Sequence, residues 1–316
     1  MSVEPSNHWL VPFAGSADTA ALQALARVPL PHLQALLGVL DASHTDTGDT
    51  HGFSPPHERA LAHALGLPMV DGQLPWAALG SSTPQVPQAW VHPVHFQVGM
   101  DAVSLTPAAH VGLDDAASNA LFDALAPLCA EDGVTLSFES PTRWRASGER
   151  LRGLVCASLD RVAGRSVAAW MPRGAEAGWL KRLQSEAQML FYTHPVNDAR
   201  EAARQLPVNG IWVSDAGAVP ATVQPGTSPT VIDTLREGAL RADVSAWTSA
   251  WAALDAGPLR EARQRAQAGQ AIALTLCGER SATTFTTPPS RSPFTRLARA
   301  LGIGRTPRAH DILDTL

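Results

Sequence analysis

Three short, largely apolar runs stand far apart in this 316-residue chain: WLVPF at 9–13, GIWVSD at 210–215 and AIALTLC at 271–277. Apolar runs of this length without polar alternation are the pattern of strands buried on both faces, as in a helix-covered parallel sheet. Helical patterns separate them. LPHLQALLGVLDA brings Leu33, Leu36, Leu37 and Leu40 to one face, and PPHERALAHALGL opens a helix whose prolines fall in the first turn, where a missing N–H costs nothing. Trp179, Leu180, Leu183, Ala187, Leu190 and Phe191 form a stripe leading to His194. Trp247 and Trp251, one turn apart after Pro229, are expected in a core or an interface. The expected fold class is α/β, with strands and helices alternating.

Between these runs the texture changes. HFQVGMDAVSL alternates as a strand does, GLDDAASNALFDALAPLCAEDG is a helix carrying Leu121, Phe122, Leu125 and Leu128, and VTLSFES with TRWRASGE reads as a hairpin. The expected organisation is a core domain in two parts, 1–88 and 173–289, with a smaller inserted α+β domain at 89–172 and a basic tail at 290–316. That tail carries Arg291, Arg296, Arg299, Arg305 and Arg308 and is read as solvated. Residues 41–54 are expected to be a surface loop, and 80–88 a linker.

With 45% hydrophobic and 17% charged residues the chain has enough apolar material for a sizeable interior. A net charge of -5 supplies no footprint for nucleic acid or an anionic membrane surface, so neither is an expected partner. No stretch reaches the roughly 18 apolar residues of a membrane helix, and MSVEPSNHWLVPFAG lacks a positively charged leader start. Cys129, Cys156 and Cys277 are widely spaced and form no C-x-x-C pair, which argues against a disulfide framework or a thiolate zinc site and for a cytoplasmic location.

YTHPVNDAREAARQLPVNGIWVSDAG, 192–217, resembles a segment of archaeal-type cofactor-independent phosphoglycerate mutases of the alkaline phosphatase superfamily. The matching residues are His194, Pro195, Asn197, Arg200, Asn209, Ile211, Trp212 and Gly217. SLDRVAGRSVAAWMP, GLDDAASNALFDALAPLCAEDGVTLSF and VPLPHLQALLGVL are similar to further mutase segments in the same order. SPPHERALAHALGL, LQSEAQMLFYTHPVNDARE, and DAGPL together with LTLCGER resemble the regulatory protein RpfE type family. The resemblance implies a degenerate mutase-like α/β domain.

It also implies a chemistry that can be looked for: two divalent metals, manganese or zinc, and a metal-activated serine. The mutases' first strand ends in Asp-Gly, whereas here Phe13-Ala14 follows; Asp18 is the nearest acid and belongs to the next helix. Counting back from Leu-Gly at Gly66 reaches His57 in the nucleophile's place, with Ser54 available only if the loop is shifted. Ser54 and His57 are the catalytic candidates. Beyond His194 only His310 remains to supply imidazole, and Asp233, Asp243 and Asp255 do not replace the missing ligands, so no metal cofactor is expected. His92 and His95 read as hydrogen-bonded structural residues, and His44, His51, Asp46 and Asp49 as a solvated cluster able to hold a metal adventitiously.

The HPVNDAR motif has two readings. As a corner, Pro195 ends a helix, Asn197 and Asp198 form a turn, and Arg200 pairs with a carboxylate such as Asp215. As an anion site, His194, Asn197 and Arg200 together grip a phosphate or carboxylate. The expected function is that of a non-catalytic, mutase-like cytoplasmic regulatory or binding protein, with a small phosphorylated metabolite or a protein as partner. The alternative is a divergent phosphoglycerate mutase or other phosphoester-processing enzyme. A third reading, a protein-binding module using the tryptophan helix and the basic tail, competes with both.

Overall fold

A computed structural model describes residues 6–223, 226–288 and 308–316. Its strands are β1 (His8–Val11), β2 (Asp41–Thr47), β3 (Gln88–Val98), β4 (Val103–Pro107), β5 (Thr135–Ser140), β6 (Arg143–Ser147), β7 (Gly210–Gly217), β8 (Thr230–Val231), β9 (Ala273–Cys277) and β10 (Ser281–Thr286). Its first helices are α1 (Thr19–Leu25), α2 (Pro31–Leu37), α3 (Pro56–Leu65), α4 (Ala108–Val111), α5 (Asp115–Glu131) and α6 (Leu159–Val162). After them come α7 (Ala177–Tyr192), α8 (Pro195–Ala202), α9 (Arg236–Leu240), α10 (Val244–Leu254), α11 (Arg260–Gln267) and α12 (Ala309–Leu313). Among the described residues no helix is long and apolar enough to cross a membrane.

Contacts divide the chain into two compact units. Unit 1 comprises 1–50, 56–65 and 225–316, and unit 2, carried within it in sequence, comprises 51–55 and 66–224. The boundaries expected at 88/89 and 172/173 are therefore not where contacts divide. The stretch 66–88, α7 and β7 all belong to unit 2, and the inserted unit is as long as its host.

Unit 1 is built on a sheet ordered β2-β10-β9-β1-β8. β1 runs parallel to β8 and β9, as the runs at 9–13 and 271–277 predict, while β10 and β2 return antiparallel; the third run, GIWVSD, departs from that expectation, since it forms β7 of unit 2 and pairs antiparallel with β3. Alternation along β1 explains why WLV is unbroken: Trp9 and Val11 enter one core with Leu33, Trp247 and Leu276, and Leu10 packs on the other face with Cys277, Ala60 and Leu61. Residues 41–47 are a strand, not the expected loop. DASHTDT pairs with β10 alone and is almost wholly exposed, so its polar composition is that of a sheet edge.

α10 passes through a π-helical turn, Asp255–Leu259, into α11. Pro258 inside the turn has no N–H to give, and the wider turn accommodates it. The buried Asp255 carboxylate accepts from the backbone N–H of His32 at 3.2 Å and Leu33 at 2.8 Å. It thereby caps α2, whose own N-cap, Leu30, has no side-chain acceptor. Residues 309–316 are not a solvated tail. Ala309 and Leu313, at helical spacing, and Leu316 enter the same core as Trp247 and Trp251, which are buried there and form no binding surface. Arg291, Arg296, Arg299 and Arg305 lie outside the described residues.

Unit 2 holds an antiparallel sheet ordered β4-β3-β6-β5, with β7 also paired to β3. β3 is its spine, pairing with β6 through Gln88–Val91 and with β4 through Val94–Val98. The 95–105 stretch thus belongs to two strands. α5 and α7 cover this sheet, burying Leu121, Leu125, Trp144, Leu180, Phe191 and Ile211 in one cluster. Trp144 satisfies its indole N–H on Ser118 Oγ at 3.1 Å.

Candidate functional site

The HPVNDAR motif is a helix start. α7 ends at Tyr192, and His194, in extended conformation, caps α8, its Nδ1 accepting the Val196 N–H at 3.2 Å. Pro195 then stands at the first helical position, where its fixed φ is preorganised. Asn197 and Asp198 are helical, which corrects the expected turn. The Asn197 amide is buried and fully engaged: Nδ2 donates to Phe191 O at 2.8 Å and Val208 O at 2.7 Å, and Oδ1 accepts the Val208 N–H at 2.9 Å. Arg200 meets carbonyls, not the expected carboxylate. Nε donates to Leu206 O at 2.8 Å, Nη2 to Val111 O at 2.7 Å and Nη1 to Gly112 O at 3.3 Å. Burial of the guanidinium lowers its pKa, with Asp114 opposing that shift. The motif ties the α7–α8 corner to the end of α4 and to the chain entering β7.

Ser54 and His57 fall in different units. Ser54 is buried, and its Oγ accepts the Gly72 N–H at 2.8 Å. Asp71 returns the link by accepting the N–H groups of Phe53 at 3.0 Å and Ser54 at 2.8 Å. Gly72 has φ +72°, and a Cβ there would meet the side chains of Val155 and Phe53, so the staple also needs glycine. His57, in the first turn of α3, lies with its ring 5.0 Å from that of Phe13.

The carboxyl ends of β1 and β9, where ligands enter parallel α/β sheets, are packed by the chain itself. Phe13 adopts φ +56° and its carbonyl accepts from Trp247 Nε1 at 3.0 Å; Ala14 N–H donates to Cys277 O at 2.6 Å. Leu316 lies against Gly15, where an added Cβ would come within 2.9 Å of its own, and against Gly278. The Leu316 carbonyl accepts from Arg280 N at 3.1 Å, Ser281 N at 3.2 Å and Ser281 Oγ at 3.1 Å.

The nearby acids are helix caps. Asp18 caps α1, Asp243 caps α10 and Asp255 caps α2, while Asp233 opens a 3-10 turn. His44 stacks on His63 at 4.4 Å and Asp46 pairs with Arg59 at 2.7 Å in unit 1, whereas His51 faces the Trp170 ring in unit 2. Among the described residues no group of three or more His, Cys, Asp or Glu side chains is placed to hold a metal.

His92 and His95 are hydrogen-bonded, as their sequence context suggests, but the partners of His92 are not legible there. On β3 and β7 of unit 2, His92 Nε2 lies 3.0 Å from Ser214 Oγ, and that hydroxyl donates to Asp215 Oδ2. Because the serine proton is directed at Asp215, the imidazole must be the donor to Oγ. Burial pushes the Asp215 carboxyl up to about 6; the Ser214 hydroxyl and Arg143 pull it down and Asp160 adds to the rise. Asp215 also has φ +59°. Ser214 is fully buried, which closes its Oγ to any substrate. His92 stood out in sequence, but its partner lies 122 positions away and no local signal joins them. His95, on the same strand, bonds Pro207 O at 2.8 Å.

Fold and site together define an α/β protein of two units whose matched motif residues hold backbone. No protein-family model and no curated protein matches the chain. Among solved structures, it is similar to a cofactor-independent phosphoglycerate mutase from Thermoplasma acidophilum DSM 1728, with 15% identity and TM-score 0.36 over 98% of each chain. It is also similar to the PH0037 protein from Pyrococcus horikoshii, with 12% identity and TM-score 0.43, covering 99% of this chain and 97% of that one.

Proposed function

We propose that this chain is a non-catalytic, phosphoglycerate-mutase-like regulatory or binding protein of the cytoplasm, of RpfE type, that has lost the two-metal site and recognises a small phosphorylated metabolite or a protein. The mutase part of this reading rests on the sequence motifs around His194. The observation that carries the loss of chemistry is the packing at the end of β1, where Phe13 and Ala14 stand in the metal ligand's place and Leu316 lies against Gly15. Elemental mass spectrometry after incubation with manganese and zinc, followed by desalting, tests it. Metal near zero per chain and no mutase turnover are expected; two metals per chain with turnover overturn the proposal.

A second reading, a divergent mutase or other phosphoester-processing enzyme, is favoured by Asp215, a carboxyl pushed up to about 6 beside Ser214 and His92. It requires phosphoester turnover that Asp215→Asn abolishes. Turnover lost instead in Ser54→Ala or His57→Ala would move the site to those residues.

A further inference from the structure

Unit 2 carries an open, mainly apolar groove of ≈ 720 Å³ that no step above uses. That volume is in the range of small-molecule sites. α7 lines it with Gln184, Gln188, Met189 and Tyr192, and the strands line it with Phe96 and Trp212. Met189 and Tyr192 are 76% and 82% exposed, large apolar surfaces left in water at the rim.

Gln184 supplies an independent sign of a ligand. It is only 6% exposed, Nε2 is directed at Ile211 O at 3.4 Å, and Oε1 is buried without a hydrogen-bond partner. Reversing the amide would set its oxygen against the Ile211 carbonyl, so the orientation is determined. A buried acceptor left unmade is costly, and because Gln184 lines the groove, a small turn of its side chain brings Oε1 to a donor on whatever fills it.

The opposite side is preformed. Asn209 clamps Phe96 at both backbone groups, accepting its N–H at 2.6 Å and donating to its carbonyl at 2.9 Å. Gly210 leaves room for the Phe96 ring, since a Cβ there would come within 2.6 Å of it. The exposed Lys181, one turn before Gln184, places an ammonium in the same lining.

We propose that this groove binds a small amphiphile: an apolar body between Phe96, Trp212 and Met189, a hydroxyl or N–H donor on Gln184 Oε1, and an anionic group beside Lys181. The inference stands whether or not the scaffold is catalytic.

An anilinonaphthalene sulfonate whose amine and sulfonate stand at opposite ends of the naphthalene carries all three features, and its N-methyl derivative replaces the donor with a methyl group. Fluorescence titration of the full chain should show saturable binding of one dye per chain. Gln184→Leu should weaken the parent dye roughly fivefold, the worth of one hydrogen bond, and leave the N-methyl dye unchanged. Lys181→Glu, at an exposed position that spares the fold, should weaken both dyes. Equal effects of Gln184→Leu on the two dyes, no effect of Lys181→Glu, or no saturable binding overturn the proposal. So does a self-associated protein that binds dye only once Met189→Glu has made it monomeric, since the groove would then seat a second copy. If Gln184→Leu does not fold, Lys181→Glu with the two dyes decides.

Discussion

Asp215→Asn separates the electrostatics of the β7 end from its packing. The carboxyl is raised from 3.8 to about 6 chiefly by burial. Between those values the folded protein holds a proton that the unfolded chain has released, so this group removes stability as pH rises through the interval. The interval corresponds to about 3 kcal/mol at roughly 1.4 kcal/mol per tenfold. That figure is a ceiling, because Asp215 keeps part of its surface in water. Asparagine preserves the geometry: its oxygen still accepts from Ser214, and it tolerates the left-handed φ of +59°. Urea unfolding of both proteins from about pH 4 to about pH 8, followed by subtraction, isolates the group from every other titration. The variant should gain on the wild type by up to about 3 kcal/mol, most of it between pH 4 and 6 and none beyond pH 7. A flat difference, or a wild type that gains on the variant as pH rises, refutes the burial argument.

Asn197→Ala should cost about 3 kcal/mol, since it strands two backbone carbonyls and one N–H in a buried corner; a chemical-denaturation loss below about 1 kcal/mol contradicts that role. Asp255→Ala should remove the side-chain cap on α2 and lower stability by about 2 kcal/mol, read by calorimetry, with Asp255→Asn recovering part of it. The three free thiols are buried, Cys129 is pushed up to about 12 and Cys156 and Cys277 are also raised, each chiefly by burial, so a disulfide-exchange reagent should label native protein slowly and urea-unfolded protein at once. Rapid labelling of native protein counts against the burial of these thiols.

Much of the local structure was legible. The stripe from Trp179 to Phe191, the hairpin at 135–147 and the pairing of Trp247 with Trp251 follow from periodicities set by helix and strand geometry. Readings failed where a distant partner sets the outcome. DASHTDT carries no strand pattern because an edge strand answers only to β10. The 309–316 segment reads as part of a tail in sequence because one turn of helix offers too few apolar positions to register. Gln184, at i+4 from Leu180, did leave a signal: a polar side chain set into an apolar stripe.

The candidate site divides along the same line. Sequence alone determined that Phe13-Ala14 follow the first strand and that His310 is the one histidine after His194, because residue type is all that such a count requires. Only the tertiary structure decided what the remaining groups do. Asp255 became a cap for α2, Arg200 a clamp on the α4 carbonyls, and Asp215 a carboxyl raised by its surroundings. The physical reason is that a hydrogen bond's partner and a group's dielectric environment are set by distant chain segments, 223 positions apart for His32 and Asp255, a distance over which local pattern carries no information.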